Sequence, residues 1–385
     1  MKRLHPTVWA LGAVSLLMDL SSELVHGLLP LYMTVVLGAG MVAVGLVEGI
    51  AEATASIIKI FSGALSDRLP RRKPLLVLGY GLAAFSKPLF PLAGTMLLVL
   101  AARFLDRIGK GIRGSPRDAL IADVTEPGLR GRAYGLRQAL DTIGAVLGPL
   151  AAIGLMFLLA DDIRMVLWLA VIPALLCVVV LVLFVRESER KEVSSRSAPL
   201  RSARELSAHY WMIVAIGAVL TLARFSEAFL VLRAQDLGLA IGLVPLVMVV
   251  MNVVYTAVAY PAGVAADHGH RRSLLLWGTA ALIVSDLALA WSSGMTLLFA
   301  GVALWGVHMG LTQGLLSTLV ADAAPAHLRG TAFGVFHLVS GIALLAASVL
   351  AGALWNAFGA GATFYAGAVF TVLALAGLLM FAKSS

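Results

Sequence analysis

Long apolar runs separated by short polar breaks recur along the whole chain. Twelve stretches stand out, at roughly 7–37, 42–65, 74–93, 95–123, 132–158, 164–185, 209–235, 241–266, 273–291, 295–322, 330–354 and 361–382. Each is near or above the ~20 residues that a helix rising ~1.5 Å per residue needs to cross a ~30 Å hydrocarbon layer. Backbone polar groups must be satisfied internally there, so the runs read as helices. The pattern predicts an all-α integral membrane protein with twelve transmembrane helices. The first run follows Lys2 and Arg3, is too long for a signal peptide and lacks a small-residue cleavage site, so it is read as the first span.

Composition agrees with this. Of 385 residues, 60% are hydrophobic and 13% are charged, against ~25% charged in an ordinary soluble domain. That excludes a soluble enzyme, a disordered chain and a secreted disulfide scaffold. The single cysteine, Cys177, excludes an internal disulfide and a thiolate metal cluster. The formal charge of +8 would suggest nucleic acid in a soluble protein. Here it is read by location, because basic residues concentrate in cytoplasmic loops.

One set of loops holds Lys2 and Arg3; Arg68, Arg71, Arg72 and Lys73; Arg130 and Arg132; Arg186 to Arg204; Arg271 and Arg272; Arg329; and Lys383. The opposite set is short, with Arg164 the main basic residue. Both termini are therefore expected in the cytoplasm and the protein in the plasma (inner) membrane. The longest polar stretch, 186–208, reads as a cytoplasmic linker between six spans in 1–185 and six in 209–385.

The halves repeat. GALSDRLPRRKPLL (63–76) aligns without gaps to GVAADHGHRRSLLL (263–276), and LIADVTEPGLRGRAYG (120–135) to LVADAAPAHLRGTAFG (319–334), at offsets of 200 and 199. Shared Asp, Arg and Gly at fixed loop positions are harder to obtain by chance than similar apolar runs. They predict two pseudo-symmetric six-helix bundles, a common transporter plan.

The loop motif after span 2, its echo after span 8, and LRGRAYG after span 4 resemble the major facilitator superfamily, over essentially the whole chain. Gly144, Gly148 and Pro149 are similar to the G-x-x-x-G-P motif of its proton-coupled exporters. RFLDRIGKGIRGSPRDALIAD (103–123) resembles a bacterial branch that includes nickel-resistance permeases. The resemblance implies alternating access. It also implies a cytoplasmic gate drawn from Asp67, Arg68, Arg71, Arg72, Arg117, Asp118 and Asp123, with Asp267, Arg271 and Arg272 in the second copy. Asp67 and Asp267 are placed to favour a neighbouring helix N-terminus, where the dipole attracts negative charge, and Arg71 or Arg72 to pair with Asp123. His268 stands where the first copy has Arg68, which predicts a weaker second clamp. A cluster that only anchors topology is the plainer alternative.

Charges inside the spans carry the most information, because ionisable groups in a bilayer face a cavity or one another. At about 100° per residue, Arg103, Asp106, Arg107, Lys110, Arg113, Arg117 and Asp118 fall within about 140° of span 4. That face either lines the substrate path or forms a salt-bridge network. Span 1 carries Asp19, Glu23 and His26 on one face, and span 2 carries Glu48, Glu52 and Lys59 on another. The acids are candidate counter-ions of span 4 and candidate proton carriers. Glu23 and Glu52, near mid-membrane, are favoured as carriers. Asp, Glu and His together suit a divalent cation as well.

The second half is poorer in charge. Trp305, Gly306, Met309, Thr312, Gln313 and Ser317 take the places of span 4's polar positions, and ionisable groups within its spans include Arg224, Glu227, Asp286, His308 and His337. This asymmetry suits an organic, amphipathic substrate. No nucleophile–base set, zinc motif or phosphate-binding loop supports an enzyme or an ATP-driven pump, and no cofactor is implied. The expected function is secondary transport by alternating access, with proton-coupled efflux of an organic or amphipathic compound. Efflux of a divalent metal ion or metal chelate is the alternative. The expected partners are a small solute or ion, protons and the lipid bilayer, with no nucleic acid and a monomeric protein.

Overall fold

The computed structural model describes residues 4–187, 206–325 and 328–384. A few side chains within helices, including those of Asp67 and Asp267, lie outside the described set, as does most of the 186–208 linker. Twelve helical elements of membrane length follow in chain order: α1 Pro6–Val36, α2 Met41–Arg68, α3 Lys73–Leu92, α4 Met96–Asp123, α5 Arg130–Leu158, α6 Ile163–Phe184, α7 Ala208–Asp236, α8 Ile241–Ala265, α9 Arg271–Trp291, α10 Met295–Ala323, α11 Arg329–Phe358 and α12 Ala360–Ser384. Eleven contain a stretch long and apolar enough to cross a bilayer; α4 has the length, and its charges set it apart. Large apolar side chains such as Leu158, Trp277 and Phe358 are exposed, as lipid-facing positions require.

The chain divides into two compact units, residues 1–33 with 54–198, and residues 34–53 with 199–385. Residues 34–53, expected in the N-terminal bundle, thus group with the second unit, and α2 runs from one unit into the other. The reason is close helix packing within the second unit. A Cβ at Gly49 would stand 2.8 Å from the Leu345 side chain of α11, and one at Gly352 would meet the Met41 backbone. Gly45 similarly approaches the Ser348 carbonyl, and the Met41 amide donates to Asn356 Oδ1 at 3.2 Å. Small residues at such crossings let backbones approach in lipid, where packing drives association.

Each unit has the same internal plan. In the first, α1 packs on α5 and α6, and α3 on α4 and α6; in the second, α7 packs on α11 and α12, and α9 on α10 and α12. The correspondence reaches single residues. Gly79 of α3 lies against Arg113 and the Gly109 carbonyl of α4, and Gly278 of α9 lies against Thr312 and Leu311 of α10. These pairs are separated by the same offset as the loop repeats.

Several elements are less regular than their apolar runs predict. α3 is interrupted at Lys87–Pro88, where proline has no N–H to donate and its ring excludes a regular turn. α6 is interrupted at Ala170. The helical segments of α7 end at Ala223 and resume at Ala228, with no proline present. The released backbone is satisfied from the side: the Ser226 amide donates to Ser348 Oγ of α11 at 3.3 Å, and the Ala228 amide to Ser226 Oγ at 3.3 Å. A break buried in lipid is tolerated only with such partners.

Candidate functional site

In the first unit the polar face of α4 is mostly buried. Arg103, Asp106, Arg107 and Arg113 are each at most 5% exposed, whereas Lys110 is exposed. Glycines make the burial feasible. A Cβ at Gly109 would lie 2.5 Å from the Gly79 carbonyl, and one at Gly111 would lie 2.6 Å from Ile58 Cβ of α2. α3 and α2 therefore seat directly on α4.

The counter-charges come from several helices. Lys87, at the break in α3, is 1% exposed and donates to Asp106 Oδ1 at 2.9 Å and Ser22 Oγ at 3.0 Å. Arg107 Nε stands 3.6 Å from the other Asp106 oxygen. The Arg113 guanidinium lies 4.8 Å from the Tyr80 ring centroid, a favourable position over an aromatic face. Lower along α4, Arg117 Nη1 donates to Ser15 Oγ at 3.0 Å and lies 3.5 Å from Asp141 Oδ1 of α5. Arg137 donates to Asp141 Oδ2 at 3.1 Å and reaches Asp118 Oδ1 at 3.9 Å.

The acids of α1 meet this network through α5. A Cβ at Gly144 would lie 3.1 Å from Asp19 Cβ, and one at Gly148 would lie 2.8 Å from Glu23 Cβ. The two glycines and Pro149 thus form the seam along which α1 and α5 touch. Across it the Asp19 and Asp141 carboxyls are near neighbours, with Arg113 and Arg117 in electrostatic reach of Asp19. Glu23 is paired with His26, with Nδ1 3.8 Å from Oε2, and lies in the field of Lys110 and Arg107. Among the described residues no three of His, Cys, Asp and Glu converge as a metal ligand set.

Glu48 and Glu52, expected opposite α4, lie in the part of α2 that belongs to the second unit. Glu48 is fully buried there. Arg224, at the break in α7, is within electrostatic reach of Glu227, Tyr255 and Glu52. Around the break, Phe225 packs against Phe229, Trp305 and Phe364, with ring centroids 5.5–5.6 Å apart.

At the loop motif of the first unit, Arg72 is the arginine that reaches Asp123, with Nε 2.8 Å from Oδ2; its Nη1 also bonds Ser66 Oγ. Arg68 and Arg71 are exposed. The Asp67 side chain, expected at a helix N-terminus, lies outside the described set. At the start of α3 that role falls to Glu187, whose carboxylate accepts from the Arg72 and Lys73 amides at 2.7 Å each. Lys73 in return donates to the Val182 and Val185 carbonyls at the end of α6, at 2.8 and 2.7 Å. In the second unit a π turn, Ala266–His270, carries α8 directly into α9. Arg271 is half-buried, Arg272 is exposed, and the Asp267 side chain lies outside the described set.

Lys87, Arg137, Asp141 and Glu187 were not among the sequence candidates. The first three carried a usable signal, since each is a charge inside an apolar run. Glu187 carried none, being one polar residue among many in a linker.

A family model described as the Major Facilitator Superfamily matches residues 11–232 and 214–385. The chain is 31% identical over 388 residues to an uncharacterised MFS-type transporter of Methanocaldococcus jannaschii, covering 98% of this chain and 95% of the relative. It is 27% identical over 324 residues to the multidrug resistance protein MdtH of Edwardsiella ictaluri, covering 83% and 78%. Among solved structures, a point mutant of the nucleoside transporter NupG superposes with a TM-score of 0.83 at 12% identity, covering 97% of this chain and 99% of that one. A bacterial homologue of the human lysosomal transporter Spinster gives 0.78 at 16%, covering 98% and 96%. At these identities the solved structures speak for the fold alone.

Proposed function

The chain belongs to the major facilitator superfamily, and on that premise we propose that it is a proton-coupled exporter of small amphipathic organic compounds. The observation that carries this reading is the Asp19–Asp141 pair at the α1–α5 seam. Two neighbouring acids beside Arg113 and Arg117 change proton occupancy when the flanking bases or water access change. Alternating access changes both. Organic cargo is supported by the aromatic cluster in the second unit and by the multidrug resistance protein among the relatives. A divalent metal has less support, because the described residues offer no ready ligand set.

In this reading both termini and the 186–208 linker are cytoplasmic, the protein lies in the inner membrane, and the monomer is the working unit. The Arg72–Asp123 pair, with Glu187 on α3, forms the cytoplasmic gate of the first unit. Opening it exchanges charge-assisted hydrogen bonds for water, and the small net difference suits a gate that must both hold and release.

The test is uptake of ethidium into everted vesicles with an acid interior. The wild type should accumulate ethidium only with the pH gradient. Asp19→Asn and Asp141→Asn should lose gradient-driven uptake and keep ethidium exchange at equal pH. Glu23→Gln and Glu52→Gln test the carriers favoured by sequence. If all four variants keep wild-type gradient-driven uptake, the acids are structural counter-ions and the reading fails.

A further inference from the structure

Asp286 is a buried carboxylate of the second unit that stands apart from the ion pairs described above. It sits in the middle of α9 and is 0% exposed. Among the described residues neither carboxylate oxygen has a hydrogen-bond partner. Its place in the repeat is informative. At the offset of 199 that relates the halves, Asp286 corresponds to Lys87 and Trp305 to Asp106. In the first unit these positions form the buried Lys87–Asp106 ion pair. In the second unit an acid has replaced the lysine, a tryptophan has replaced the acid, and no base accompanies either. Trp305 is also 0% exposed, and its indole nitrogen has no partner.

The charged groups on the surrounding elements are committed elsewhere. On α7, Arg233 donates to the Leu289 and Ser292 carbonyls and pairs with Asp236 at 2.5 Å, while Arg224 answers Glu227, Tyr255 and Glu52. On α10, His308 Nδ1 is 2.8 Å from the Gly278 carbonyl, two turns away along α9. The π turn before α9 carries His268, bound to the Val264 carbonyl, and an exposed His270; α12 contributes Tyr365, which is 43% exposed. Among the described residues none forms an ion pair or hydrogen bond with the Asp286 carboxyl. An ionised, unpaired carboxylate in such a place is strongly disfavoured, and the neutral acid is the form that burial favours.

The space around Asp286 limits what it can bind. A Cβ at Gly367 of α12 would lie 2.8 Å from Asp286 Oδ2 and 3.1 Å from Phe225 Cε1. The aromatic rings beyond are in mutual contact. Gly367 and Phe225 thus crowd one carboxylate oxygen, which favours a proton, needing no space of its own, over a bulky cation. Phe225 is the wall with a means of moving, since it lies in the break of α7 between Ala223 and Ala228.

We propose that Asp286 is a proton-binding site of the second unit, closed by Phe225, with the break in α7 as its door. When Phe225 swings away, water reaches the carboxyl, the O–H bond breaks, the proton passes to water and a carboxylate remains. The reverse step reloads it. The role of this site in transport rests on the proton-coupled reading above; the existence of the site does not.

Infrared spectroscopy of the purified protein at neutral pH tests it without any transport assay. The wild type should show a protonated-carboxyl C=O band that is lost in Asp286→Asn. Where the Asn variant fails to fold, Asp286→Glu keeps the acid and should shift the band instead. In Phe225→Ala the same band should shift faster when the protein is transferred to heavy water. A spectrum unchanged by both Asp286 variants overturns the site, and an unchanged exchange rate in Phe225→Ala overturns the door. In everted vesicles, Asp286→Asn should lose gradient-driven ethidium uptake. Wild-type uptake in that variant removes the transport role, and no gradient-driven uptake in the wild type itself would instead count against the parent reading.

Discussion

The Cβ that Gly148 lacks would stand 2.8 Å from the Cβ of Glu23, and 2.9 Å from the Leu20 carbonyl. One helix turn earlier, the Cβ missing from Gly144 would be 2.6 Å from the Leu16 carbonyl. The obstacles on this seam include backbone, so they do not move cheaply.

Gly144→Ala and Gly148→Ala should therefore each destabilise the protein by about 1–3 kcal/mol, the usual range for overpacking a tight contact. They should also separate α1 from α5 and weaken the proposed proton coupling through Asp19 and Asp141. Thermal unfolding in detergent measures the first effect. A wild-type melting temperature in both variants would mean that the seam is looser than the geometry requires.

Lys87→Met leaves Asp106 buried without its main partner. Removing one member of a buried ion pair costs ~3–5 kcal/mol, whereas replacing both by apolar groups is often nearly neutral. The double variant Lys87→Met/Asp106→Leu should then recover most of the loss, read as fraction folded after detergent extraction. If the double variant is no better than the single one, Arg107 or Arg103 rather than Lys87 carries Asp106.

The gate pair is open to a charge swap. Arg72→Asp should abolish ethidium uptake, and adding Asp123→Arg should restore part of it. Asp123 is 34% exposed whereas Arg72 is 4% exposed, so the single variant should also lose stability, which a melting temperature alone does not separate from a lost gate. Uptake, and not melting temperature, is the informative readout. Equal inactivity of the single and double variants would assign Arg72 to another partner, with Ser66 the first candidate.

Topology is tested by labelling in a Cys177→Ala background. Cys177 is buried and its thiol meets the Val14 carbonyl, so the change should be mild. A cysteine at Ser293, in the turn between α9 and α10, should label only from outside, and one at Ser195 only from the cytoplasm. Labelling of both from one side would contradict the orientation read from the basic loops.

By itself the sequence determined what depends on short stretches of chain. A helix crosses lipid because ~20 consecutive residues are apolar, so the spans, the duplication and the charged face of α4 are all visible without a structure. An arginine of the loop motif meeting Asp123 was legible too, with Arg71 and Arg72 both open, and the structure brings Arg72 there. Tertiary structure decided which charge meets which. Asp106 is answered by Lys87 from a break in α3, and Arg117 by Asp141 of α5, because partner choice depends on which helices touch and how closely. It placed Glu48 and Glu52 in the second unit, where Gly45 and Gly49 admit α11. It also opened α7 at Phe225, where a hydroxyl of α11 replaces the lost helical hydrogen bond. An apolar run of that length reads as one unbroken helix until the residue that supplies Ser226 with a partner, 122 positions away, is brought beside it.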